Sequence, residues 1–168
     1  GVCSWILKLP REKSDRGSCL SYVPFRQTSI HNSNMLGAAM LACTWRHTRE
    51  EELLTVAREA MTYSCARQRS DGSWWYGEED KYHWIDNFHT GYNLDSLKRY
   101  LDSSGESELQ QCLKSGLDYF KKTFIGSDGT PRYYHDKTYP IDIQCAAQTI
   151  EALAYCSNDV EGSLDLAP

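Results

Sequence analysis

Rings and carboxylates alternate through Asp71-Gly72-Ser73-Trp74-Trp75-Tyr76-Gly77-Glu78-Glu79-Asp80, and a second dense stretch, Trp84-Ile85-Asp86-Asn87-Phe88-His89-Thr90-Gly91-Tyr92-Asn93, follows at once. A sugar ring offers an apolar C–H face and a rim of hydroxyls, so a carbohydrate site needs an aromatic platform beside Asp, Glu, Asn or His. Trp75 and Tyr76 are the candidate platforms here, with Glu78, Tyr92, Asn93 and His31 as further substrate contacts. Packing competes with binding for both rings, and for Trp74, placed to plug a gap between helices, packing is the expected role. Asp71-Gly72 suits a tight turn.

Four residues are candidates for catalysis: Asp86, His89, His135 and Asp142. Asp86 stands just before a helical stretch, where it would either cap the helix or act as an acid, and His89, one turn on, would share its cavity. A third loop, Tyr133-Tyr134-His135-Asp136-Lys137-Thr138-Tyr139-Pro140-Ile141-Asp142, adds Tyr134 as a platform and His135 as an acid/base group, although a plain surface loop explains the same residues. Two-carboxylate glycoside hydrolysis needs acids about 5 to 9.5 Å apart across a cleft, and Asp86 with Asp142 or Glu78 would be the pair. No H-E-x-x-H, P-loop, G-x-S-x-G or dinucleotide fingerprint is present, so no metal or cofactor is expected.

The elements that must position these groups follow a repeat. Gly17, Gly72 and Gly129 each lead an aromatic loop, 55 and 57 residues apart. Ile30-His31, Ile85-Asp86 and Ile141-Asp142 follow at spacings of 55 and 56, so His31, Asp86 and Asp142 are expected at equivalent positions at one end of three helices. Such groups would converge on a polar mouth suited to anionic ligands and polarised acids. A period of this length fits a helical hairpin plus a long loop, a unit that must stack on its neighbours to bury its apolar face. Residues 34–46 are apolar nearly all round; Leu53, Val56, Ala57, Ala60, Met61 and Cys65 recur at helical intervals after a Thr48/Glu51 capping-box spacing. Helices are likewise expected from about Phe88 to Leu101, Glu106 to Phe124 and Ile143 to Tyr155, with Ser103/Glu106 as a second capping box and Asn93, Asp95, Gln144 and Gln148 aimed at a common axis. Trp5, Ile6, Leu7 and Leu9 read as the last turns of a further helix. The expected fold is therefore all-α, an α/α toroid or half-toroid of about three hairpins over residues 1–157 (repeats 1–47, 48–103 and 104–157), with an acidic tail at 158–168. An open α-solenoid is the alternative, though its loops are usually shorter.

Composition narrows the partners. With 168 residues, a net charge of −5 and no Lys/Arg-rich run, the chain can bury a core and is a poor partner for nucleic acid or anionic membrane. No apolar run approaches the ~20 residues of a membrane span. Seven cysteines without a C-x-x-C pair argue for reduced thiols and a cytoplasmic location rather than a disulfide framework or zinc site. The opening Gly1-Val2-Cys3-Ser4-Trp5 lacks a signal peptide's pattern, and a start at Gly is expected of a trimmed chain or a fragment.

At Ser70–Glu78, Trp84–Asp95 and Tyr133–Asp142 the chain resembles α/α-toroid proteins of the six-hairpin glycosidase type, above all poorly characterised members associated with bacterial surface-polysaccharide metabolism. The resemblance covers residues 1 to 157 and implies a fold, not a reaction, since that superfamily mixes hydrolases, lyases, epimerases and isomerases. It implies a polysaccharide or oligosaccharide ligand. Three visible hairpins where such rings usually hold six imply a missing half or a homodimer. Gln68-Arg69-Ser70-Asp71-Gly72-Ser73-Trp74 also resembles the Gln-to-Gly-x-Trp repeat of terpenoid-cyclase toroids, without their Asp-x-Asp-Asp or Asp-Asp-x-x-Asp motifs. The expected function is a carbohydrate-active protein of hydrolase, lyase or epimerase type; a non-enzymatic glycan- or protein-binding repeat module and a terpenoid-cyclase-like toroid are the alternatives.

Overall fold

The computed structural model describes residues 1–157; the acidic tail expected at 158–168 lies outside the described residues. Its order is α1 (Val2–Ile6), β1 (Arg11–Ser14), β2 (Gly17–Leu20), α2 (His31–Thr48), α3 (Glu51–Cys65), α4 (Asn87–Ser104), α5 (Gln110–Phe124) and α6 (Ile143–Tyr155), with one 3₁₀ turn at Asp80–Tyr82. The expected all-α class is thereby overturned: the described residues form a mixed fold, six helices with an antiparallel two-stranded sheet that pairs Arg11 with Leu20 and Ser14 with Gly17. The sheet forms because Gly17 takes φ +96 to turn the chain, and because both faces of β2 are covered at its end, Cys19 and Leu20 being buried on opposite sides with β2 lying on α3. Tertiary burial thus makes strands of a segment with no apolar alternation in β1. No toroid is shown either. Among the described residues, α2, α4 and α6 run in a row, α4 between the other two, with α3 packed on α2 and α5 on α4.

The helices form where periodicity and punctuation agree. In α5, Leu113, Leu117, Phe120 and Phe124 are buried on one face, each worth about 1.5–3 kcal/mol of apolar burial. Gly116 on the same face brings α5 against the Trp74 indole; a Cβ there would sit 2.9 Å from the ring. Trp74 is buried, as expected, and its Nε1–H donates to the Ser64 carbonyl at 2.9 Å. In α2, Ala38, Ala39 and Ala42 are buried, small enough to let α3 and α4 lie close on either side. Arg49 and Gly105 end α2 and α4 in the left-handed conformation. Neither expected capping box forms: Thr48 ends α2 and Ser103 lies inside α4, while Glu106 instead accepts from Arg58 and Tyr100.

Asn34 ties three elements together. Its Oδ1 accepts from the Leu20 N–H at 2.8 Å, and its Nδ2 donates to the Ala60 carbonyl at 2.8 Å and to Ser64 Oγ at 2.9 Å. Among the described residues, no helix is long and apolar enough to cross a membrane.

Candidate functional site

Each loop that follows α3 or α5 turns back beside the segment leading into the preceding inner helix. The His31 N–H donates to the Tyr76 carbonyl and the Glu78 N–H to the Ser29 carbonyl, both at 3.1 Å; the Asn87 N–H donates to the Tyr133 carbonyl at 2.9 Å and the His135 N–H to the Ile85 carbonyl at 3.3 Å. This repeated ladder gathers the aromatic loops at the N-terminal ends of α2 and α4. It also corrects the register. The residues capping α2, α4 and α6 are Ile30, Asp86 and Asp142, a constant 56 apart, so Asp86 and Asp142 are equivalent whereas His31 lies one residue inside its helix, opposite Asn87.

Asp86 is buried and does two jobs. Its Oδ1 accepts the His89 N–H at 2.8 Å, capping α4, and its Oδ2 lies 2.7 Å from His89 Nδ1. The carboxylate accepts only, so Nδ1 carries the proton and Nε2 is left as the base of the neutral ring. The His89 side chain, 22% exposed, is surrounded by aromatic rings: Phe88 at 4.1 Å, Tyr76 at 4.7 Å, Trp84 at 5.5 Å and Tyr92 at 6.5 Å between centroids. Behind the dyad a cavity of about 10 Å³ reaches Asn32 and Asn93, whose buried Oδ1 atoms have no partner among the described residues. That volume and those acceptors suit a single water. A larger space opens on the other side of Trp84, a cleft of about 440 Å³ lined by His83, Trp84, Tyr134, His135, Asp136 and Lys137.

The other expected groups are placed differently. His31 is buried away from any mouth, its Nδ1 3.0 Å from Ser64 Oγ and its Nε2 2.8 Å from Glu78 Oε1; Arg67 Nε donates to Glu78 Oε2 at 2.9 Å. Serine, histidine and acid are thus aligned as in a nucleophilic triad, but Ser64 is fully buried and accepts from Asn34, so the chain of bonds is structural. The His31 hydrogen bond, then the Arg67 guanidinium, holds the Glu78 carboxyl below its ordinary value, against the pull of burial. A lowered carboxylate gives up its proton on folding, so its contribution is full above the unfolded value of 4.5 and is lost as pH falls through the lower folded value. Glu78→Gln is therefore expected to flatten the acid limb of a stability-against-pH curve below about 4.5, measured by urea unfolding; an unchanged limb would show that Glu78 carries no such linkage.

Asp142 caps α6, its Oδ1 accepting from the Gln144 and Cys145 N–H groups at 2.7 and 3.4 Å. Trp75 stacks on His83 at 5.0 Å under the Arg69 guanidinium, whereas Tyr76 stacks on Trp84 at 4.2 Å. His135 Nδ1 lies 3.2 Å from the Ile85 carbonyl. The structure thus brings Asp86, His89, Tyr76, Tyr92 and Asn93 together, sets Tyr134 and His135 in the adjoining cleft, and separates His31, Glu78 and Asp142 from both. Trp84 is the residue that spacing undervalued. It binds no repeat mark, and its position follows from the Tyr76 N–H donating to its carbonyl at 2.9 Å across the 3₁₀ turn. Asn32 was equally hidden, since only the α2–α4 approach sets it beside Asn93. Burial raises the Cys145 thiol beside this region to about 11, helped by Asp142 and Asp86, and the Cys19 thiol to about 12, so neither is a nucleophile at neutral pH. Neither the protein-family models nor the curated proteins include a match to this chain.

Proposed function

We propose that the chain is a carbohydrate-active protein that holds a glycan in the cleft beside Trp84 and uses His89, oriented by Asp86, for proton transfer. The observation that carries this reading is the shared Trp84 ring, which walls the open cleft and meets the His89 imidazole edge-on at 5.5 Å. At about 440 Å³ the cleft lies within the size range of small-ligand sites. Trp84 and Tyr134 offer apolar faces, and His135, Asp136 and Lys137 offer hydrogen-bonding rims. An Asp–His dyad supplies one base whose protonated form the carboxylate stabilises.

Two-carboxylate hydrolysis is the least supported chemistry. Asp136 is the carboxylate lining this cleft, while Asp86 lies behind Trp84, Glu78 is tied to His31 and Arg67, and Asp142 caps α6. Single-base chemistry, as in a lyase or epimerase, fits the dyad better. The same lack of a carboxylate pair, with Trp84 standing between cleft and dyad, favours a non-enzymatic glycan-binding module as the second reading.

One experiment separates the two. The chain is titrated with a panel of neutral and acidic oligosaccharides, followed by tryptophan fluorescence, and any binder is then incubated in D₂O and inspected for deuterium at its ring carbons. Binding that Trp84→Ala weakens about 10- to 100-fold, as for an aromatic hot spot, supports the cleft. Deuterium wash-in supports proton transfer, binding without it supports the module, and no binding by any sugar overturns both.

A further inference from the structure

A second groove, of about 250 Å³, runs along the seam between α4 and α6 and is lined by Phe88, Tyr92, Gln144, Ala147, Gln148 and Glu151. Its walls differ in chemistry although each helix turns the same repeat positions towards it. Phe88 and Tyr92, one turn apart on α4, supply rings, and Gln144 and Gln148, the positions 56 residues on, supply amides from α6. Both walls belong to helices packed on one another, so the groove forms inside the row and not at either end of it.

Gln148 shows what the groove lacks. The residue is 6% exposed, and its Nε2 has no partner among the described residues. It lies there because Gly91 has no side chain: a Cβ at Gly91 would stand 2.5 Å from Gln148 Cγ and 3.1 Å from Nε2. A buried amide donor without an acceptor is unfavourable, so a recess cleared by a glycine for such a donor calls for an acceptor from outside the chain. A hydroxyl-rich ligand supplies one, and the Phe88 and Tyr92 rings offer the apolar surface that a sugar's C–H face requires.

The groove is also continuous with the cleft beside Trp84. Phe88 lies 6.3 Å from Tyr133 between ring centroids, and Tyr133 lies 4.6 Å from Tyr134, which lines that cleft. His89 stands between the two spaces, 5.5 Å from the Trp84 ring and 4.1 Å from Phe88. Charge separates them. At the groove one guanidinium meets two carboxylates, Arg99 Nε donating to Asp95 Oδ2 at 2.8 Å while its Nη2 lies 3.7 Å from Glu151 Oε1. The surplus carboxylate disfavours an acidic sugar there.

We propose that the α4–α6 groove is a second subsite for the glycan held beside Trp84, one that takes an uncharged sugar unit, so that the ligand is an oligosaccharide lying across His89 and not a single sugar. The inference rests on glycan binding in the Trp84 cleft and extends it.

The test is calorimetric titration with malto-, cello- and manno-oligosaccharides from disaccharide to hexasaccharide, and with oligogalacturonides as the acidic series, with far-UV circular dichroism as the folding control. Affinity is expected to rise with length by about 10- to 100-fold, the weight of one further aromatic contact, and to favour a neutral series over the acidic one. Tyr92→Ala is expected to bring the long-to-short ratio of affinities close to one. Gln144 is exposed on α6, so Gln144→Ala reads the same ratio if Tyr92→Ala unfolds. Glu151→Gln is expected to narrow the preference for neutral over acidic oligomers. A wild-type ratio near one, a ratio that both Tyr92→Ala and Gln144→Ala leave unchanged, or a preference for the acidic series overturns the subsite, while binding that Trp84→Ala weakens keeps the cleft. Absence of binding by every series overturns the cleft reading as well.

Discussion

Asp86→Asn and His89→Ala are expected to lower turnover of any glycan the wild-type chain processes by about 10²- to 10⁴-fold, the range for a general acid/base group, while the melting temperature stays within a few degrees. The two variants act differently. His89→Ala removes the base itself. Asp86→Asn leaves an oxygen that still caps α4 through the His89 N–H, since asparagine caps as well as aspartate, but it removes the charge opposite His89 Nδ1 at 2.7 Å. The ring then loses the partner that fixes its tautomer and stabilises its protonated form. Asp86→Ala adds loss of the cap, about 1 kcal/mol, and separates the structural from the chemical contribution. Full turnover in both Asp86→Asn and His89→Ala, with glycan binding intact, would return the pair to a helix cap and an aromatic packing partner.

The largest structural effect is expected at Gly72. Its φ of +91 strains any L side chain, and a Cβ there would stand 2.2 Å from the Ser115 carbonyl oxygen of α5. Backbone strain of about 1–2 kcal/mol adds to an overpacking cost of about 1–3 kcal/mol, so Gly72→Ala should destabilise by roughly 2–5 kcal/mol. For a chain of this size that lowers the melting temperature by about 5–15 °C. Gly17→Ala should act alike, against the Glu59 carbonyl. Gly105 is the control, left-handed at φ +74 with nothing within 4 Å, and Gly105→Ala should cost about 1 kcal/mol. Equal costs at Gly72 and Gly105, measured by urea unfolding, would show that the α5 backbone moves aside and that close approach is not what the glycine secures.

How much of this was legible in the chain depends on the range of the interactions. Helix α6 begins and ends as read, at Ile143 and Tyr155, because Asp142 and the Ala146, Ala147, Ile150, Leu153, Ala154 pattern act within a few residues. The turn at Asp71-Gly72 was likewise local, Asp71 Oδ1 accepting from the Ser73 N–H at 3.0 Å. The β1–β2 hairpin was missed because β1 has no apolar alternation and owes its order to β2 lying on α3. His31 falls one register step from the position its spacing predicts, since an isoleucine followed by a polar residue marks a cap at Asp86 and Asp142 but the first helical residue at His31.

Alone, the sequence determined the period, the inner helices, the glycine turn at Gly72 and the burial of Trp74, all written in hydrogen bonds and side-chain periodicity that reach no further than a turn or two, whereas it left Asp86 open between cap and acid and marked Asp142 only as an acid. Tertiary structure decided which polar groups became chemistry. It drew His31 to Ser64 and Glu78, 33 and 47 residues away, and so tied two expected ligand contacts to each other, while it set Trp84 between the dyad and the cleft. The physical reason is that a long loop leaves its side chains no local preference for a partner. Their partners are chosen only when the backbone ladder lays each loop beside the inner helix of the unit before it.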